Sequence, residues 1–441
     1  EDDRCPGVRT YYDFLHRLHD GPIRRACEHQ ERPSVTERRR SRSPQPKRSK
    51  KSAQEKKKAK GPRRKRKRAK GKAAEEAVAR QAATKSATAK LVEELAAAKD
   101  AANPADLLGR LGEILLKVAV VPSAERGLLG DMQALLMGGD GSPLRTGASR
   151  YGKKTCDHPR QERCDCPRIY DDPDAVVGWD SHRKAFFYGH HFYEFSISSN
   201  GHDLPVALRL DPANASDHVA SIKSLDWLRK LLAEHGLPWK FHAIIQDAGH
   251  DGEPNHRYII DMGALPVVPL STKAPAVHPV RPDVSLSPRG VPLCEHGAEM
   301  APWGSAGPDR RVFVCPVKAG TLKRCPAAPD QQPDWVWRPG QRLAPTISVQ
   351  VSDNPRLCPP LPRNRPRFQK LMNLRSGTER SNSMKKVRFM LEAARHRRHS
   401  FWLIRLHLIA MLQHGLAWVA AVDAKQFVAG LLGKRSVELA A

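Results

Sequence analysis

The amino-acid sequence predicts an α/β fold: a mixed five-stranded sheet flanked by helices, with a β-rich insertion and a helical, partly disordered basic N-terminal region. The first observation is the order β-β-β-α-β-α-β of the strand-like and helix-like segments within residues 174–270. The second is the Pro- and Gly-rich composition of residues 271–360, where isolated strand-like runs such as "RRVFVCPV" occur. The third is a block of Lys and Arg at residues 38–72.

Five apolar or β-branched runs between turn signals predict the strands of the sheet. These runs are 174–180, 184–198, 204–210, 240–247 and 264–270. The tripeptide Ser-Asn-Gly at 199–201 predicts that the second and third strands form a hairpin. The first and fourth strands each end on an aspartate.

Amphipathic or Ala-rich patterns predict the helices. These patterns cover 8–19, 73–100, 104–119, 126–137, 216–236, 253–263, 368–396 and 400–421. The last helix is the longest apolar segment, but Arg405, His407, Gln413 and His414 interrupt it. We therefore expect a buried core helix there and no membrane span.

The same elements divide the 441 residues into five regions. The regions are an N-terminal helical segment (1–37), a basic disordered linker (38–85), a helical region (86–150), a main α/β domain (165–270 together with 361–425) and an insertion within that domain (271–360). The main domain contains all five predicted strands.

The basic block at 38–72 holds 20 Lys or Arg residues and one acidic residue, Glu55, so it supplies +19 of the formal net charge of +28. Such a block repels itself and has too few apolar residues to fold. Its natural partner is a polyanion, most simply the phosphates of nucleic acid. A solvated linker with no dedicated partner is the alternative.

A polar stripe runs along the helix predicted at 368–396. Met372, Arg375, Glu379, Asn382 and Lys386 recur at spacings of three and four, which places them on one helix face. Four of the five are polar, although a core-facing stripe would be apolar. From first to last cation the stripe spans roughly 16 Å, enough to follow several phosphates of a nucleic-acid strand.

Three carboxylates can meet beside this stripe. Asp180 and Asp247 end two predicted strands, and we expect those strands to be neighbours in the sheet, with Glu379 on the helix beside them. Carboxylate and phosphate oxygens are the ligands that Mg²⁺ prefers. Two such ions about 4 Å apart would catalyse in-line phosphoryl transfer. The sequence therefore predicts a magnesium site made of Asp180, Asp247 and Glu379.

These segments resemble the DDE transposases of bacterial insertion sequences. "GWDSHRKAFFYGHHFYEFSISSNGHDLPVALRLDPANASDH" resembles the first Asp strand of that family, its Tyr-Gly strand and its Pro-Ala-Asn turn into a helix, and "IIQDAGHDG" resembles the second Asp strand. The family's C-terminal signature is Tyr-x2-Arg-x3-Glu-x6-Lys. Arg375, Glu379 and Lys386 match its last three members, whereas Met372 replaces the Tyr.

The resemblance covers about residues 174–270 and 361–421, and weakly 6–19. It implies a ribonuclease-H-like catalytic domain whose three acidic residues are catalytic metal ligands for Mg²⁺, with Mn²⁺ as a substitute. The implied activity is cleavage of DNA at the ends of an insertion sequence and strand transfer to target DNA. It also implies a cytoplasmic, nucleoid-associated bacterial protein that works as a homodimer on DNA, without a membrane partner.

The predicted DNA-contacting residues are Arg375, Asn382 and Lys386. Asp251 competes with Asp247 for the second acidic position, but Asp247 follows its strand directly and is preferred. Asp217 fits the N-terminus of a helix. His250 follows Asp247 closely enough to contact substrate, although no spacing requires it.

Two groups of Cys and His residues raise the alternative of zinc. They are Cys156, His158, Cys164 and Cys166, and Cys294, His296, Cys315, Cys325 and Cys358. Neither group has the paired Cys-x2-4-Cys spacing of structural zinc sites, so zinc is disfavoured. Nine Cys in a long chain, an odd number, indicate a reducing compartment.

Two further functions stay open at this stage. One is a DNA-binding protein of transposase descent that has lost catalysis, which Met372 and the unusual basic linker favour. The other is a metal-dependent nuclease on the same fold, because a fold alone does not fix a function.

Deletion of residues 38–72 tests the role of the basic block. If the block binds phosphates, deletion weakens DNA binding by a similar factor for all sequences and flattens the decrease of log K with log salt. Fluorescence anisotropy with two unrelated duplexes at several salt concentrations measures both quantities. A chain of unchanged length, with the block's Lys and Arg replaced by Gln, controls for linker length. An unchanged salt slope in both variants would show that the block is only a linker.

Overall fold

The computed structural model describes residues 87–98, 101–103, 106–157, 166, 168–272, 274, 276–278, 280–324 and 346–422. Within these residues the protein has an α/β fold in which helices flank a mixed sheet. The helix predicted at 8–19 and the basic block at 38–72 lie outside the described residues.

Eight α-helices occur in the described part of the chain. They are α1 (Ala87–Ala97), α2 (Leu107–Leu115), α3 (Val121–Glu125), α4 (Asp217–Glu234), α5 (Glu253–Asp261), α6 (Pro366–Asn373), α7 (Ser376–Ser383) and α8 (His399–Ala421). A π-helical turn, Leu116–Val120, joins α2 to α3, and a second, Met384–Arg388, follows α7. Short 3-10 turns lie at Ala248–His250 and Leu391–Ala393.

The same residues contain eleven strands. They are β1 (Leu135–Arg145), β2 (Lys153–Lys154), β3 (Arg168–Ile169), β4 (Val176–Asp180), β5 (Ala185–Ser199), β6 (His202–Pro212), β7 (Phe241–Ile245), β8 (Leu265–Val267), β9 (Ala301–Ser305), β10 (Arg310–Val314) and β11 (Thr346–Gln350). All five strands of the predicted sheet are present, as β4 to β8.

The main sheet has six strands, because β1 joins the five predicted ones. Its order is β4-β5-β1-β7-β8, and β6 also pairs with β5. The long strand β5 is antiparallel to β1, β4 and β6, whereas β1, β7 and β8 are parallel to one another. The hairpin between β5 and β6 turns at Asn200 and Gly201, whose φ angles of 51° and 79° suit a two-residue loop, as predicted.

Strand β1 corrects two expectations. The helix predicted at 126–137 is wrong, since this segment forms turns and then enters β1 at Leu135. The strands that end on Asp180 and Asp247 are not neighbours, because β5 and β1 lie between β4 and β7. Strand β1 has the sequence "LLMGGDGSPLR", and it was not predicted because Gly, Ser and Pro have a low propensity for strands.

Helices cover both faces of the main sheet. Gly138 faces Thr378 of α7, and Gly141 faces Asp217 at the start of α4. Successive residues of a strand point to opposite faces, so α7 and α4 lie on opposite sides of β1. Helix α8 packs on β6 and α2. The core between these layers includes Phe192, Phe195, Leu225, Ile244 and Trp402.

Helix α8 occupies the segment predicted as a core helix. Trp402, Leu406, His407 and His414 are all fully buried in it, and they are spread around the helix. It is the one helix in the described part of the chain that is long and apolar enough to cross a membrane, and half of its apolar window is buried within the protein. Its packing matches a core helix.

The region 271–360 contains a separate antiparallel sheet in the order β11-β10-β9. Its own small core includes Val284, Met300, Phe313, Val349 and Leu357. The strand-like run "RRVFVCPV" is β10, as predicted. This sheet enters the chain between β8 and α6, which are both elements of the main domain.

The close approach of β1 and α7 predicts the effect of one substitution. A Cβ at Gly138 would collide with Oγ1 of Thr378, so Gly138→Ala should lower the free energy of unfolding by about 1–3 kcal/mol. Gly147→Ala is the matched control, because nothing lies within 4 Å of its added Cβ. Urea denaturation measures both. Equal stability of the two variants would contradict the packing of α7 on β1.

Candidate functional site

Parallel pairing of β1 and β7 brings two aspartates together. The strands pair Met137 with Ile244 and Gly138 with Ile245. Asp140 lies two residues after Gly138, and Asp247 lies two residues after Ile245. Neighbouring strands are about 4.8 Å apart. The two carboxyl groups therefore occupy equivalent positions at one end of the β7 pairing.

The pKa of the Asp140 carboxyl reflects its burial and its proximity to Asp247. Burial raises the pKa of its carboxyl to about 6, and the charge of Asp247 adds to the rise. The charges of His250 and Arg375 act in the opposite direction, whereas Asp217 adds a smaller repulsion. Two carboxylates that repel each other in a partly buried place form a site that a cation would stabilise.

Asp247 is held in place by a chain of hydrogen bonds. The hydrogen bond from Nδ1 of His250, at 2.6 Å from Oδ1, is the main reason why the pKa of Asp247 is lowered. The backbone N–H of Gly249 donates to the same oxygen. Nε2 of His250 lies 3.0 Å from the hydroxyl of Tyr193, and Nε2 of Gln246 donates to that hydroxyl at 3.0 Å. His250, Tyr193 and Gln246 therefore fix the orientation of the Asp247 carboxylate.

Glu379 lies on α7, where Arg375 holds it. Nη2 of Arg375 is 2.7 Å from Oε1 of Glu379, and the charge of Arg375 also contributes to the lowered pKa of Asp247 and opposes the rise in the pKa of Asp140. The guanidinium therefore interacts with all three carboxylates. Within the described residues, no three His, Cys, Asp or Glu side chains lie close enough to one another to hold a metal ion.

The predicted polar stripe is divided in the structure. Met372 packs with Ala243 and Leu371 in a small apolar cluster. Asn382, predicted to contact DNA, is buried, and its amide has no hydrogen-bond partner among the described residues. The π-helical turn after α7 alters the helical spacing, and Lys386 donates to the carbonyl of Pro143 at 2.6 Å. Arg375 and Glu379 pair with each other, whereas Lys386 is bound to Pro143.

The structure places Asp180 elsewhere. Its Oδ2 accepts from Nη2 of Arg145 at 2.7 Å, and its Oδ1 accepts the backbone N–H groups of His182 and Arg183, both at 3.0 Å. Burial alone would raise the pKa of Asp180, but these hydrogen bonds lower it. Since β5 and β1 separate β4 from β7, the aspartate on the strand next to Asp247 is Asp140 and not Asp180.

The two other acidic residues considered for the site, Asp251 and Asp217, both contact neighbouring side chains. Asp251 accepts hydrogen bonds from Arg356 at 2.9 and 3.0 Å and from the backbone N–H of Ser271. Asp217 is in the first turn of α4, 3.1 Å from Nε2 of His191. Asp251 is thus bound to Arg356, and Asp247 stays the predicted second acidic residue.

Five cysteines lie in the described part of the chain. They are Cys156, Cys166, Cys294, Cys315 and Cys358. His158, Cys164 and Cys325 lie outside the described residues, so each predicted Cys group is only partly described.

Sequence reasoning missed Asp140, Tyr193 and Arg145. Asp140 carries the same signal that identified Asp180 and Asp247, namely an acid shortly after an apolar run, here "LLM". Two glycines between the run and the acid obscured it. Tyr193 and Arg145 carry no local signal, because only the tertiary fold brings them to His250 and Asp180.

The raised pKa of Asp140 predicts a pH-dependent difference in stability. A carboxyl with a folded pKa near 6 and an unfolded value of about 3.9 stabilises the fold below pH 4, and this stabilisation is lost as the pH rises through 6. Relative to Asp140→Asn, wild type should therefore lose on the order of 3 kcal/mol between pH 4 and pH 7.

Urea denaturation in EDTA at several pH values measures this difference. Asp261→Asn, at an exposed position in the last turn of α5, is the control and should follow wild type at every pH. A difference between wild type and Asp140→Asn that does not change with pH would contradict the raised pKa of Asp140.

Comparison of the chain with known proteins gives no match. No protein-family model matches it, and neither a curated protein nor a solved structure does so. The geometry of Asp140, Asp247, Glu379 and Arg375 is therefore the basis on which a function can be assigned.

Proposed function

We propose that the protein is a DDE transposase with a ribonuclease-H-like catalytic domain, and that Asp140, Asp247 and Glu379 are its acidic residues. It cleaves DNA strands at the ends of an insertion sequence and joins them to target DNA. The observation that carries the proposal is the pair Asp140 and Asp247, placed at equivalent positions on parallel neighbouring strands. Asp140 replaces Asp180 as the first acid.

The topology of the sheet supports the proposed domain type. Three antiparallel strands, β1, β5 and β6, precede α4, and the parallel strands β7 and β8 follow with α5 between them. The order β6-β5-β1-β7-β8 places β1 in the centre. Asp140 then lies on the central strand, and Asp247 lies two residues after the end of the adjacent one.

The two aspartates fit Mg²⁺, or Mn²⁺ in its place. Mg²⁺ is bound by one or two carboxylates together with substrate phosphate oxygens, and Asp140 and Asp247 supply two carboxylates whose mutual repulsion a cation relieves. When bound, the metal ions activate a water or a 3′-hydroxyl and stabilise the leaving oxygen. Glu379 is the third acid of the proposed site, on the helix that covers β1.

The chain's own side chains orient and complement this site. His250 holds the Asp247 carboxylate at a fixed angle, and Tyr193 holds His250. Arg375 supplies a fixed cation beside the acids, where a DNA phosphate would lie. Lys386 lies further along the helix, fixed to the Pro143 carbonyl, and contributes a second cation for the same strand.

The partners follow from charge and activity. A formal net charge of +28, most of it in the block at 38–72, favours DNA as the main partner. Joining two element ends requires two active sites, so we infer a homodimer on DNA. A cytoplasmic, nucleoid-associated location follows from the same activity.

A catalytically inactive DNA-binding protein is the second candidate. The observation in its favour is Met372, which packs in an apolar cluster where the resembled family has a Tyr near the DNA. A protein of this type would keep Arg375 and Lys386 for binding and would need none of the carboxylates.

Substitution of the three acids separates the two candidates. Asp140→Asn, Asp247→Asn and Glu379→Gln should each reduce strand cleavage at least ~100-fold, because a metal centre supplies several kcal/mol of transition-state stabilisation. DNA binding should survive, since removal of a negative charge does not weaken attraction to phosphates. Asp261→Asn, on the exposed face of α5, is the matched control and should cleave as wild type does.

The assay uses a supercoiled plasmid that carries the DNA flanking this reading frame, with Mg²⁺ or Mn²⁺, beside a gel-shift measurement. Binding without cleavage by wild type would leave the inactive DNA-binding protein as the function. Loss of cleavage in Asp180→Asn at saturating DNA, with Asp140→Asn still active, would restore Asp180 as the first acid.

A further inference from the structure

The strands β4 and β5 form an exposed hairpin whose tip, residues 181–184, is not used by the proposed site. Asp180 organises this tip, since its carboxylate accepts the backbone N–H groups of His182 and Arg183 and the side chain of Arg145. His182, Arg183 and Lys184 are all exposed. A buried carboxylate therefore supports a strongly basic turn.

Three cations lie near the base of this turn, but not on one face of the sheet: Arg145 reaches Asp180 past the ring of Phe187, whereas Lys386 lies over the ring of Phe192, on the opposite face. Lys386 comes from the π-helical turn after α7, Arg145 from the end of β1 and Arg183 from the hairpin tip. Burial lowers the pKa of Lys386, and the nearby positive charges of Arg145 and Arg183 lower it further, against the opposite effect of Glu392 and Asp180. Asp180 is paired with Arg145 and Glu392 lies 3.9 Å from Lys386, so the exposed Arg183 and Lys184 leave the turn with a positive charge that suits a phosphate.

An aromatic pair stands on the same hairpin. Trp179 and Phe186 are cross-strand partners whose ring centroids are 4.9 Å apart, and their exposed fractions are 53% and 66%. Two large aromatic side chains so exposed on neighbouring strands indicate an interaction surface. Aromatic rings beside cations are the combination that binds single nucleic-acid strands, because bases stack on the rings.

The aromatic pair lies on the same face of the sheet as Asp140. Glu194 is the register partner of Asp140, and Phe186 is eight residues before Glu194 on β5. Residues an even number apart in a strand share a face. Eight residues span about 26 Å of strand, which corresponds to about eight base-pair steps of DNA.

We propose that the β4–β5 hairpin is a second DNA-binding surface, at which Arg183 and Lys386 bind a backbone phosphate and Trp179 and Phe186 stack on an unpaired base. The surface lies about eight nucleotides along the strand from the acidic residues. The inference rests on the proposed function, because it assigns a path to the DNA that the acidic residues would cut. It adds an unpaired or distorted segment of DNA as the preferred ligand.

The test is fluorescence anisotropy with the full chain and two labelled DNAs, a blunt duplex and the same duplex with a ten-nucleotide single-stranded tail. Wild type should bind the tailed DNA more tightly. The double variant Trp179→Ala, Phe186→Ala should lose about tenfold or more in affinity for the tailed DNA and little for the blunt duplex. Arg183→Ala should weaken both and reduce the slope of log K against log salt by about one.

Matched controls come from the second sheet. Trp303→Ala removes an aromatic residue that is 61% exposed on β9, and Arg310→Ala removes an exposed arginine at the start of β10. Both should bind as wild type does. Trp179→Phe keeps a stacking ring and should retain most of the preference for tailed DNA. Thermal melting of each variant verifies that these surface changes leave the fold intact.

Three results would overturn the inference. If wild type binds DNA but the hairpin variants bind within twofold of it, with unchanged salt slope, the hairpin is not a DNA surface and the proposed function still stands. If the double variant changes the oligomeric state in sedimentation and leaves DNA affinity unchanged, the hairpin joins copies of the chain. If wild type binds neither DNA, the proposed function fails together with the inference.

Discussion

The buried ion pair between Lys385 and Glu194 fixes helix α7 on the sheet, and the candidate site depends on it. Both side chains are fully buried, and Nζ of Lys385 also donates to the Ser381 hydroxyl at 2.9 Å. Removal of either partner would leave an uncompensated charge in the core, at a cost of about 3–5 kcal/mol. Since Glu194 is opposite Asp140 in the sheet, the pair also sets where α7 crosses the acidic residues.

The sequence was sufficient for the elements whose pattern is local. Strands β4 to β8 and helices α4, α5 and α8 have clear apolar periods and turn signals, and the Asn-Gly turn of the β5–β6 hairpin is encoded in two residues. Strand β1 was missed because its glycines serve tertiary contacts. Gly138 makes room for Thr378, and Gly139 lies against Phe195 and Tyr193. Such residues lower the strand propensity of the segment while the finished fold requires them.

The sequence indicated those residues of the candidate site whose side-chain type and local position in a helix or strand are both visible in it. Glu379 and Arg375 were found from their helical spacing, and Asp247 was found as a strand-end acid. Asp180 shares that second feature, but its strand lies at a different place in the sheet order. The tertiary fold decides which strands lie side by side when they are far apart in the sequence. An acidic residue at the end of one strand therefore does not show which other acidic residue lies next to it. The π-helical turn that moves Lys386 away from the predicted stripe is equally invisible in residue spacing.

Arg375 has a thermodynamic consequence for the proposed enzyme. Without DNA, its guanidinium pairs with Glu379 and its charge also favours the ionised forms of Asp140 and Asp247, so it competes with any cation at these carboxylates. A DNA phosphate that draws the guanidinium away would strengthen metal binding, and bound metal would strengthen DNA binding by the same factor. Free enzyme would then hold metal weakly, and loading would be linked to the arrival of the substrate. Linkage of this kind would limit cleavage to chains that already hold DNA.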